Sequence, residues 1–363
     1  SGVWIMAYTT IDDPSEYFQT AIYSGNSSTL AVTSQGNAII APDWVWVKRR
    51  NSTSTHALVD SSRGRAKSLG SESNESEYNT SDTAKDLISF DTNGFTVGPA
   101  NQRNMNGNGD TFVAWQWKAN GGTTSSNTDG SITTTVQANT TAGFSIVTYT
   151  GNATNGATIG HGLGAVPQVI IKKNRSSNSR EWNVYHHSIG NTKSLFLNTS
   201  EAETTESAYN NTSPTSSIQT INGSGANNGD GDNMIAYFFT PIKGYSKFGS
   251  YTGNGNADGT FVYTGFKPAW ILFKNISTGD DNWTIVDNKR DIDNPTTHSL
   301  FPSGNNTEDD GTGNGYINVD FVSNGFKIRQ ITHMINASDE DYIYMAFAEH
   351  PFVSSKGVPV TAR

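Results

Sequence analysis

The sequence contains no cysteine and few charged residues. Among its 363 residues there is no Cys, and Asp, Glu, Lys and Arg make up 16% of the chain, against about 25% in an average globular protein. The lack of cysteine excludes disulfides, thiolate zinc sites and a cysteine nucleophile, and it fits assembly in a reducing cytosol. Ser, Thr, Asn and Gly supply the polarity instead, which favours turns and strands over exposed helices.

Long apolar runs and positive charge are also lacking. No run of about 18 apolar residues is present, so we expect no membrane insertion. The opening "SGVWIMAYTT" has no basic start and no apolar core, so we expect no signal peptide. A net charge of −9 argues against nucleic acid as a partner, because a phosphate backbone selects a basic surface.

Three similar strands recur along the chain. They are "GDTFVAWQWKA" (Gly109–Ala119), "GDNMIAYFFTP" (Gly231–Pro241) and "DEDYIYMAFAEHP" (Asp339–Pro351). In each, polar residues lead into an apolar strand in which one alanine is followed by an aromatic residue. This recurrence predicts a threefold internal repeat of domain size.

Further elements precede each of these strands in the same order. An aromatic-x-Gly-Asn element comes first, at Tyr23–Asn26, Tyr149–Asn152 and Tyr251–Asn254. A proline then opens an apolar strand that ends in lysine, at Pro42–Lys48, Pro167–Lys173 and Pro268–Lys274. A polar loop and a second strand follow, which predicts a hairpin with a loop longer than two residues. The first strand of each hairpin is almost wholly apolar, so we expect it to be covered on both faces.

The repeats define the predicted domain organisation. It comprises an N-terminal segment (1–19), repeat 1 (20–118), a Ser/Thr/Gly-rich linker (119–142), repeat 2 (143–241), repeat 3 (245–352) and a C-terminal tail (353–363). About 95 residues with many short strands predict an all-β fold of tandem antiparallel β-sandwich or jelly-roll-like repeats. We expect repeats 2 and 3 to pack as a pair and repeat 1 to be able to move. In the linker, "SITTTV" is a candidate edge strand.

Few short helices are expected. The candidates are Asp13–Ala21, which begins with an Asp-Pro cap signal, and part of Ser200–Tyr209. Asn-Gly pairs flanked by alternating apolar residues predict hairpins at Ser89–Val97 and Asp320–Ile328. Repeat 2 lacks this pattern and has "SIQTINGSG" (Ser217–Gly225) instead.

Candidate catalytic residues are scattered. The carboxylate clusters lie in polar stretches and are interpreted as solvated loops, namely Glu72/Glu75/Glu77, Glu201/Glu203/Glu206, Glu308/Asp309/Asp310 and Asp339/Glu340/Asp341. The adjacent His186 and His187 fall on a predicted strand, so they should face opposite sides and not share a metal. "GHGLG" (Gly160–Gly164) lacks the Lys-Ser/Thr that a phosphate loop requires. We therefore assign no catalytic, cofactor-binding or metal-ligating residue and expect no enzyme.

Three oxygen-rich loops are candidates for calcium: Met105–Thr111, Asn227–Asn233 and Gly304–Gly315. Asn, Asp and backbone carbonyls suit calcium, but no loop matches the twelve-residue calcium-binding pattern. The same residues are also the ordinary components of turns.

Seven tryptophans raise the question of sugar binding, because exposed aromatic rings stack on sugars. They are Trp44, Trp46, Trp115, Trp117, Trp182, Trp270 and Trp283. Most fall on the repeated strands, where other repeats carry Val, Ile, Phe or Leu. This exchange with aliphatic residues predicts that they are core residues.

Long phrases of the sequence resemble a family of repeat-containing virion proteins common in marine bacteriophages. They are "MAYTTIDDPSEYFQT" (Met6–Thr20), "SFDTNGFTVG", "GDTFVAWQWKA", "GYSKFGSYTGNGNADGTFVYTGFKPAWILFK", "YIYMAFAEHPF" and "GVPVTAR". The resemblance covers nearly the whole chain and starts at Met6, so "SGVWI" is additional. It implies a tail, fibre or capsid-surface component with sandwich-like domains, and it carries no catalytic residues.

The expected function is that of a virion structural protein that acts in assembly and host attachment. It would be made in the host cytoplasm and displayed on the virion surface as a tail fibre or capsid decoration. We expect other virion proteins, further copies of the chain and a host-surface glycan as partners. The alternatives are a carbohydrate-binding module and a polysaccharide depolymerase, which would need two carboxylates in one cleft.

Overall fold

The computed structural model describes residues 8–312 and 317–359. Almost all of its regular structure is antiparallel β-sheet, which confirms the predicted all-β class. In three successive regions, the first and last long strands pair with each other in a large sheet, and a smaller sheet packs on one face of it. Each repeat is therefore a sandwich of two sheets.

Repeat 1 begins with a 3₁₀ turn (Pro14–Glu16) and has a large sheet in the order β1-β9-β3-β4-β5-β6 and a small sheet in the order β2-β8-β7. Its strands are β1 (Phe18–Ser24), β2 (Leu30–Val32), β3 (Trp44–Arg49), β4 (Ala57–Asp60), β5 (Lys67–Leu69), β6 (Tyr78–Asn79), β7 (Leu87–Asp91), β8 (Gly94–Val97) and β9 (Thr111–Trp117).

Two strands lie in the segment 119–142, which was predicted to be a linker. They are β10 (Ser125–Asn127) and β11 (Thr134–Asn139). Strand β11 pairs with the first strand of repeat 2 and β10 pairs with β11. The linker prediction is therefore wrong for this part of the segment. The candidate edge strand does form, as β11, but β10 and not β11 lies at the edge of the sheet.

Repeat 2 completes an eight-stranded sheet in the order β10-β11-β12-β19-β14-β15-β16-β17, with a small sheet of β13 and β18. Its elements are β12 (Phe144–Thr150), β13 (Ala157–Gly160), β14 (Val169–Asn174), β15 (Asn183–His186), β16 (Lys193–Phe196), β17 (Thr204–Thr205), β18 (Ile218–Ile221), α1 (Gly225–Asn228) and β19 (Asn233–Phe239).

Repeat 3 has a large sheet in the order β20-β26-β22-β23 and a small sheet in the order β21-β25-β24. Its strands are β20 (Ser246–Thr252), β21 (Phe261–Tyr263), β22 (Phe266–Asn275), β23 (Thr284–Asp287), β24 (Val319–Val322), β25 (Gly325–Ile328) and β26 (Asp341–Pro351). The predicted Asn-Gly hairpins are confirmed as β7–β8 and β24–β25.

The two faces of each large sheet serve different cores. On β3, Val45 and Val47 pack inside the sandwich of repeat 1, whereas Trp44 and Trp46 point to the other face. This alternation follows from the two-residue period of a strand. All three repeats send their outer-face residues into one shared cluster, which we call the central core. Both faces of the apolar strands are thus buried, as predicted.

The central core ties repeat 1 to the other two. The Trp117 ring of repeat 1 lies 5.6 Å from the Trp270 ring of repeat 3, and the Trp44 ring lies 4.3 Å from the Tyr237 ring of repeat 2. The expectation that repeat 1 moves independently is therefore wrong. It rested on the composition of the segment 119–142, which says nothing about the outer face of β3 and β9.

Of the two predicted helices, only one short 3₁₀ turn forms, at Pro14–Glu16. At Asp13–Ala21 only the cap signal is used, because Asp13 Oδ1 accepts from the Ser15 N–H (3.0 Å) and the 3₁₀ turn ends at Glu16. From Phe18 onward every residue to Ser24 pairs with β9, so the ladder overrides the local signal. In Ser200–Tyr209 the chain forms the short strand β17 instead.

The aromatic-x-Gly-Asn element fastens the loop before each closing strand. The tyrosine hydroxyls of Tyr23, Tyr149 and Tyr251 each donate to a backbone carbonyl of that loop at 2.7 Å. The following glycine is required because a Cβ at Gly25, Gly151 or Gly253 would lie about 2 Å from a loop carbonyl oxygen. The element is therefore a structural lock repeated three times.

Candidate functional site: three seams and a surface groove

The three repeats meet pairwise at three seams, and equivalent residues close them into a ring. Backbone N–H groups of Glu77, Glu203 and Glu308 each donate to a carbonyl of the next repeat. The pairs are Glu77 to Arg175 (2.9 Å), Glu203 to Ile276 (3.3 Å) and Glu308 to Arg50 (2.9 Å). Repeat 1 thus contacts repeat 2, repeat 2 contacts repeat 3, and repeat 3 contacts repeat 1, which is an approximate threefold arrangement within one chain.

A second set of equivalent contacts crosses the same seams, but here each donor lies in one repeat and its acceptor lies in the preceding repeat. The donors are side-chain nitrogens of the aromatic residue just before the fourth strand of each repeat. The pairs are Trp182 Nε1 to Gly70 O (2.8 Å), Trp283 Nε1 to Phe196 O (2.8 Å) and His56 Nε2 to Phe301 O (3.0 Å). His56 Nδ1 accepts from Trp46 Nε1–H at 2.9 Å, so the proton is on Nε2, which donates. Each of these buried ring nitrogens therefore has a hydrogen-bond partner.

Buried ion-pair networks cross two of the seams. At seam 1–2, Arg63 bridges Asp60 and Glu77, and Glu77 also binds Arg175 in a bidentate pair at 2.8 Å. Asp60 further accepts from the Tyr237 hydroxyl of repeat 2 (2.8 Å). The Arg63 and Asp60 side chains are fully buried, so each charge depends on its partners.

Seam 3–1 repeats the same design. Arg290 bridges Asp287 (2.7 Å) and Glu308 (3.0 Å), and Glu308 binds Arg50. Here Trp115 Nε1–H of repeat 1 donates to Asp287 at 3.0 Å. Although burial alone raises the pKa of the Asp287 carboxyl, Arg290 and hydrogen bonds outweigh it, and the pKa lies below its ordinary value.

Seam 2–3 lacks these arginines among the described residues. Ile189 and Ile276 stand at the equivalent positions and pack against the central core. His186 replaces the buried aspartate, and its ring donates from Nε2 to the Tyr344 carbonyl (3.3 Å) while Nδ1 accepts from the Ser188 N–H. A small apolar cavity of about 10 Å³ lies beside it, lined by Leu272 and other residues of both repeats.

His186 and His187 are not on opposite faces. The strand ends at His186, and the two rings stack with centroids 5.1 Å apart. Burial, and then the neighbouring His187, lower the pKa of His186 to about 3. His187 is exposed and reaches the Phe248 carbonyl of repeat 3 at 3.1 Å. Both rings therefore serve the seam.

The members of the predicted carboxylate clusters differ in their exposure. Glu75, Glu201, Asp310 and Asp339 are exposed, in agreement with solvated loops. Glu77 and Glu308 are not, since their side chains are 11% and 8% exposed and belong to the ion-pair networks. Sequence reasoning missed them because one arginine partner of each, Arg175 for Glu77 and Arg50 for Glu308, lies in another repeat. The sequence did contain a signal that these glutamates are equivalent, because Glu77, Glu203 and Glu308 each follow a Ser-Leu pair at the same spacing. The pairs lie in β5, in β16 and at Ser299-Leu300.

The candidate calcium loops are organised by asparagine side chains. In Met105–Thr111 the Asn106 amide donates to the carbonyls of Ser28 and Gly98, and in Asn227–Asn233 the Asn228 amide donates to the Thr154 carbonyl. Turn chemistry accounts for these contacts. The third loop, Gly304–Gly315, lies in part outside the described residues.

The other histidine motif and the tryptophans are structural. His161 of "GHGLG" is buried and stacks on Phe238 at 5.1 Å. The seven candidate sugar-binding tryptophans are buried, with exposures of 3% or less, which confirms that they are core residues.

One cluster of potential metal ligands lies outside the three candidate calcium loops. Asp281, His333 and Glu340 bring ligand atoms within 4.8 Å of one another. The Asn275 amide donates to Asp281 (2.7 Å) and to Glu340 (2.6 Å), so hydrogen bonds already hold the two carboxylates. The arrangement does not by itself assign a metal.

A surface groove of about 380 Å³ is lined by two tyrosines and two lysines. The Tyr8 and Tyr263 hydroxyls lie 2.9 Å apart, Lys243 lies 4.5 Å from the Tyr8 ring and Lys247 lies 5.3 Å from the Tyr263 ring. Tyr263 is 47% exposed. Partly exposed rings next to ammonium groups can bind polar ligands that also present apolar faces.

The fold and seams define a class: an all-β protein of three sandwich repeats closed around a shared core. The chain belongs to the family described as "Domain of unknown function (DUF7483)", which it matches over residues 13–351. Neither the curated proteins nor the solved structures contain a match to it. In the described part of the chain, no helix is long and apolar enough to cross a membrane.

Proposed function

We propose that this protein is a non-enzymatic structural component of a bacteriophage particle, displayed on its surface as a tail, fibre or capsid decoration protein. It is made in the host cytoplasm, assembles with other virion proteins and with copies of itself, and contributes to attachment to the host. The resemblance of long sequence phrases to phage virion proteins supports this proposal.

The proposal is supported by the contacts that the repeated residues make, because these contacts join the three repeats to one another. The tyrosine lock, the inter-repeat ring contacts and the central aromatic core hold three sandwiches in one body. A particle appendage must keep its shape outside the cell, and these contacts provide that without disulfides. Many copies on one particle would also convert weak surface binding into strong binding by avidity.

The proposal is tested by labelling intact phage particles with a gold-tagged antibody against the folded chain and viewing them by electron microscopy. Label on the tail or its fibres supports a role in attachment, and label over the capsid supports a decoration role. An absence of label, with the protein present in the lysate and recognised on a blot, contradicts the proposal.

The groove favours a second candidate, a glycan-binding module. Lysines beside partly exposed tyrosines suit an acidic sugar, whose carboxylate pairs with an ammonium while its ring contacts the aromatic face. Calorimetric titration with acidic oligosaccharides should give binding that Tyr263→Ala weakens at least tenfold. Phe261→Ala is the matched control, because Phe261 is equally exposed but does not line the groove. Equal binding by both variants contradicts this candidate.

A further inference from the structure

A buried lysine inside the sandwich of repeat 2 has no hydrogen-bond partner. Lys172 is fully buried, and its Nζ makes no hydrogen bond to any described residue. It lies 4.8 Å from the centre of the Tyr209 ring. Burial lowers the pKa of Lys172 to about 7, so a substantial part of this amine is neutral, and therefore nucleophilic, at neutral pH.

Directly opposite this lysine stands a buried asparagine. Lys172 of β14 is the register partner of Asn183 of β15. Side chains at such positions lie on the same face of the sheet, with Cβ atoms about 5 Å apart. The Asn183 amide carbon is therefore within the reach of the lysine side chain, after its outer torsions turn Nζ away from the Tyr209 ring.

The Asn183 side chain is held at both ends. Its Oδ1 accepts from the Tyr209 hydroxyl at 2.6 Å, and its Nδ2 donates to Glu206 Oε2 at 3.2 Å. The orientation of the amide follows from these partners, since a carboxylate accepts and so must face the NH₂ group. A donor on the carbonyl oxygen and a carboxylate on the amide nitrogen are the groups that acyl transfer at this carbon requires.

The same positions in the other repeats are apolar or small. The register pair is Val47 and Ala57 in repeat 1, and Phe273 and Thr284 in repeat 3. The sandwich therefore does not need a lysine or an asparagine here, and burying an unpaired amine is costly. Both members of the pair differ together in repeat 2, which points to a shared role.

We propose that Lys172 and Asn183 form an intramolecular isopeptide bond that links β14 to β15. The neutral Nζ attacks the Asn183 Cγ, and the Tyr209 hydroxyl stabilises the negative charge that develops on Oδ1. The bond between Cγ and Nδ2 breaks, Glu206 carries a proton from Nζ to Nδ2, and ammonia leaves. Glu206 is only partly buried, which gives the ammonia a route to solvent, and the reaction needs no oxidant or co-reactant.

The bond would fix the base of the loop between β14 and β15. That loop carries Arg175 and leads into Trp182, which bind Glu77 and Gly70 of repeat 1 across seam 1–2. A covalent link at its base would hold both seam contacts in place in a chain that has no disulfides.

The test is the intact mass of the purified, denatured full chain, followed by tryptic mapping. The expected mass is lower than the sequence mass by one ammonia. Trypsin should fail to cleave after Lys172, and the peptide containing Lys172 should be joined to Glu181–Lys193. Lys172→Met, which provides a linear apolar chain where the other repeats are apolar, should restore the full sequence mass. Lys173→Met, a neighbouring buried lysine on the other face of β14, should keep the loss.

Two results would overturn the proposal. One is a wild-type chain with the full sequence mass and normal cleavage after Lys172. The other is an ammonia loss that persists in Lys172→Met. The wild-type measurement alone is decisive, so the proposal stays testable even if a variant fails to fold.

Discussion

Seams 1–2 and 2–3 occupy equivalent places in the ring but are built differently. Seam 1–2 contains a buried aspartate, two arginines and a glutamate, whereas seam 2–3 has His186, Ile189 and Ile276 in place of the aspartate and arginines. The aromatic residue that follows the repeated alanine differs too, since Tyr237 donates to Asp60 while Phe347 has no donor. The backbone contacts common to both seams set the geometry, and the side chains determine how each seam responds to mutation and pH.

The largest effect is expected from removing the buried cation of seam 1–2. Arg63→Met leaves Asp60 without its arginine and leaves Glu77 with Arg175 alone. Breaking a buried ion pair in this way costs about 3–5 kcal/mol. Chemical denaturation gives the free energy of unfolding directly. Arg65→Met is the matched control and should change stability by less than about 1 kcal/mol. A similar small change for Arg63→Met would mean that the network contributes little.

A double variant separates the loss of packing from the stranded charge. Asp60→Asn combined with Arg63→Met removes both charges, as at seam 2–3, where neither is present. We expect it to be more stable than Arg63→Met alone by about 1–3 kcal/mol, because no uncompensated carboxylate remains beside Tyr237. The double-mutant cycle measures this coupling. Additive losses would contradict the comparison of the two seams.

Seam 2–3 should respond to acid through His186. Because the pKa in the folded protein is about 3, below the ordinary value near 6.5, the unfolded chain binds a proton first. The contribution is complete above pH 6.5 and declines as the pH falls toward 3. From pH 7 to pH 5 this one group should lower stability by about 2 kcal/mol.

The variant His186→Gln should remove that part of the pH dependence, whatever its effect on stability at pH 7. His333→Gln serves as the control, because its ring is 78% exposed. Denaturation curves at the two pH values test this. An unchanged difference between pH 7 and pH 5 in His186→Gln would show that the ring is protonated at the seam without cost.

The smallest effect is expected from adding an arginine to seam 2–3. Ile276→Arg places a guanidinium where Arg50 and Arg175 stand in the other seams, next to Glu203. Glu203 already pairs with Lys193 at 3.0 Å, and partly exposed pairs contribute about 0–1 kcal/mol. Stability should therefore change by less than about 1 kcal/mol. A larger gain would mean that the ion pairs themselves, and not their burial, stabilise the ring.

The sequence predicted local features better than contacts between repeats. Strand β3 and its hairpin followed from a proline, an apolar run and a terminal lysine, and the burial of Trp44 followed from its exchange with aliphatic residues. The seam partners did not follow, because Glu77 pairs with an arginine 98 positions away and Trp182 binds a backbone carbonyl, Gly70, that no side chain marks.

Predictions from composition and local signals were wrong where pairing with a distant strand determines the structure. The segment 119–142 reads as a linker, yet β11 is placed by its ladder with β12. The cap signal at Asp13 is used, but the helix is replaced by seven pairs between β1 and β9. In both places, hydrogen bonding to a strand distant in the sequence determines the structure, and it overrides the preference of the local residues.

The measurement that tests the central claim most directly is the unfolding of the whole chain by differential scanning calorimetry. If the three repeats form one body around a shared core, they should unfold in a single transition whose calorimetric and van't Hoff enthalpies agree. Separate transitions, with repeat 1 unfolding on its own, would contradict the closed ring.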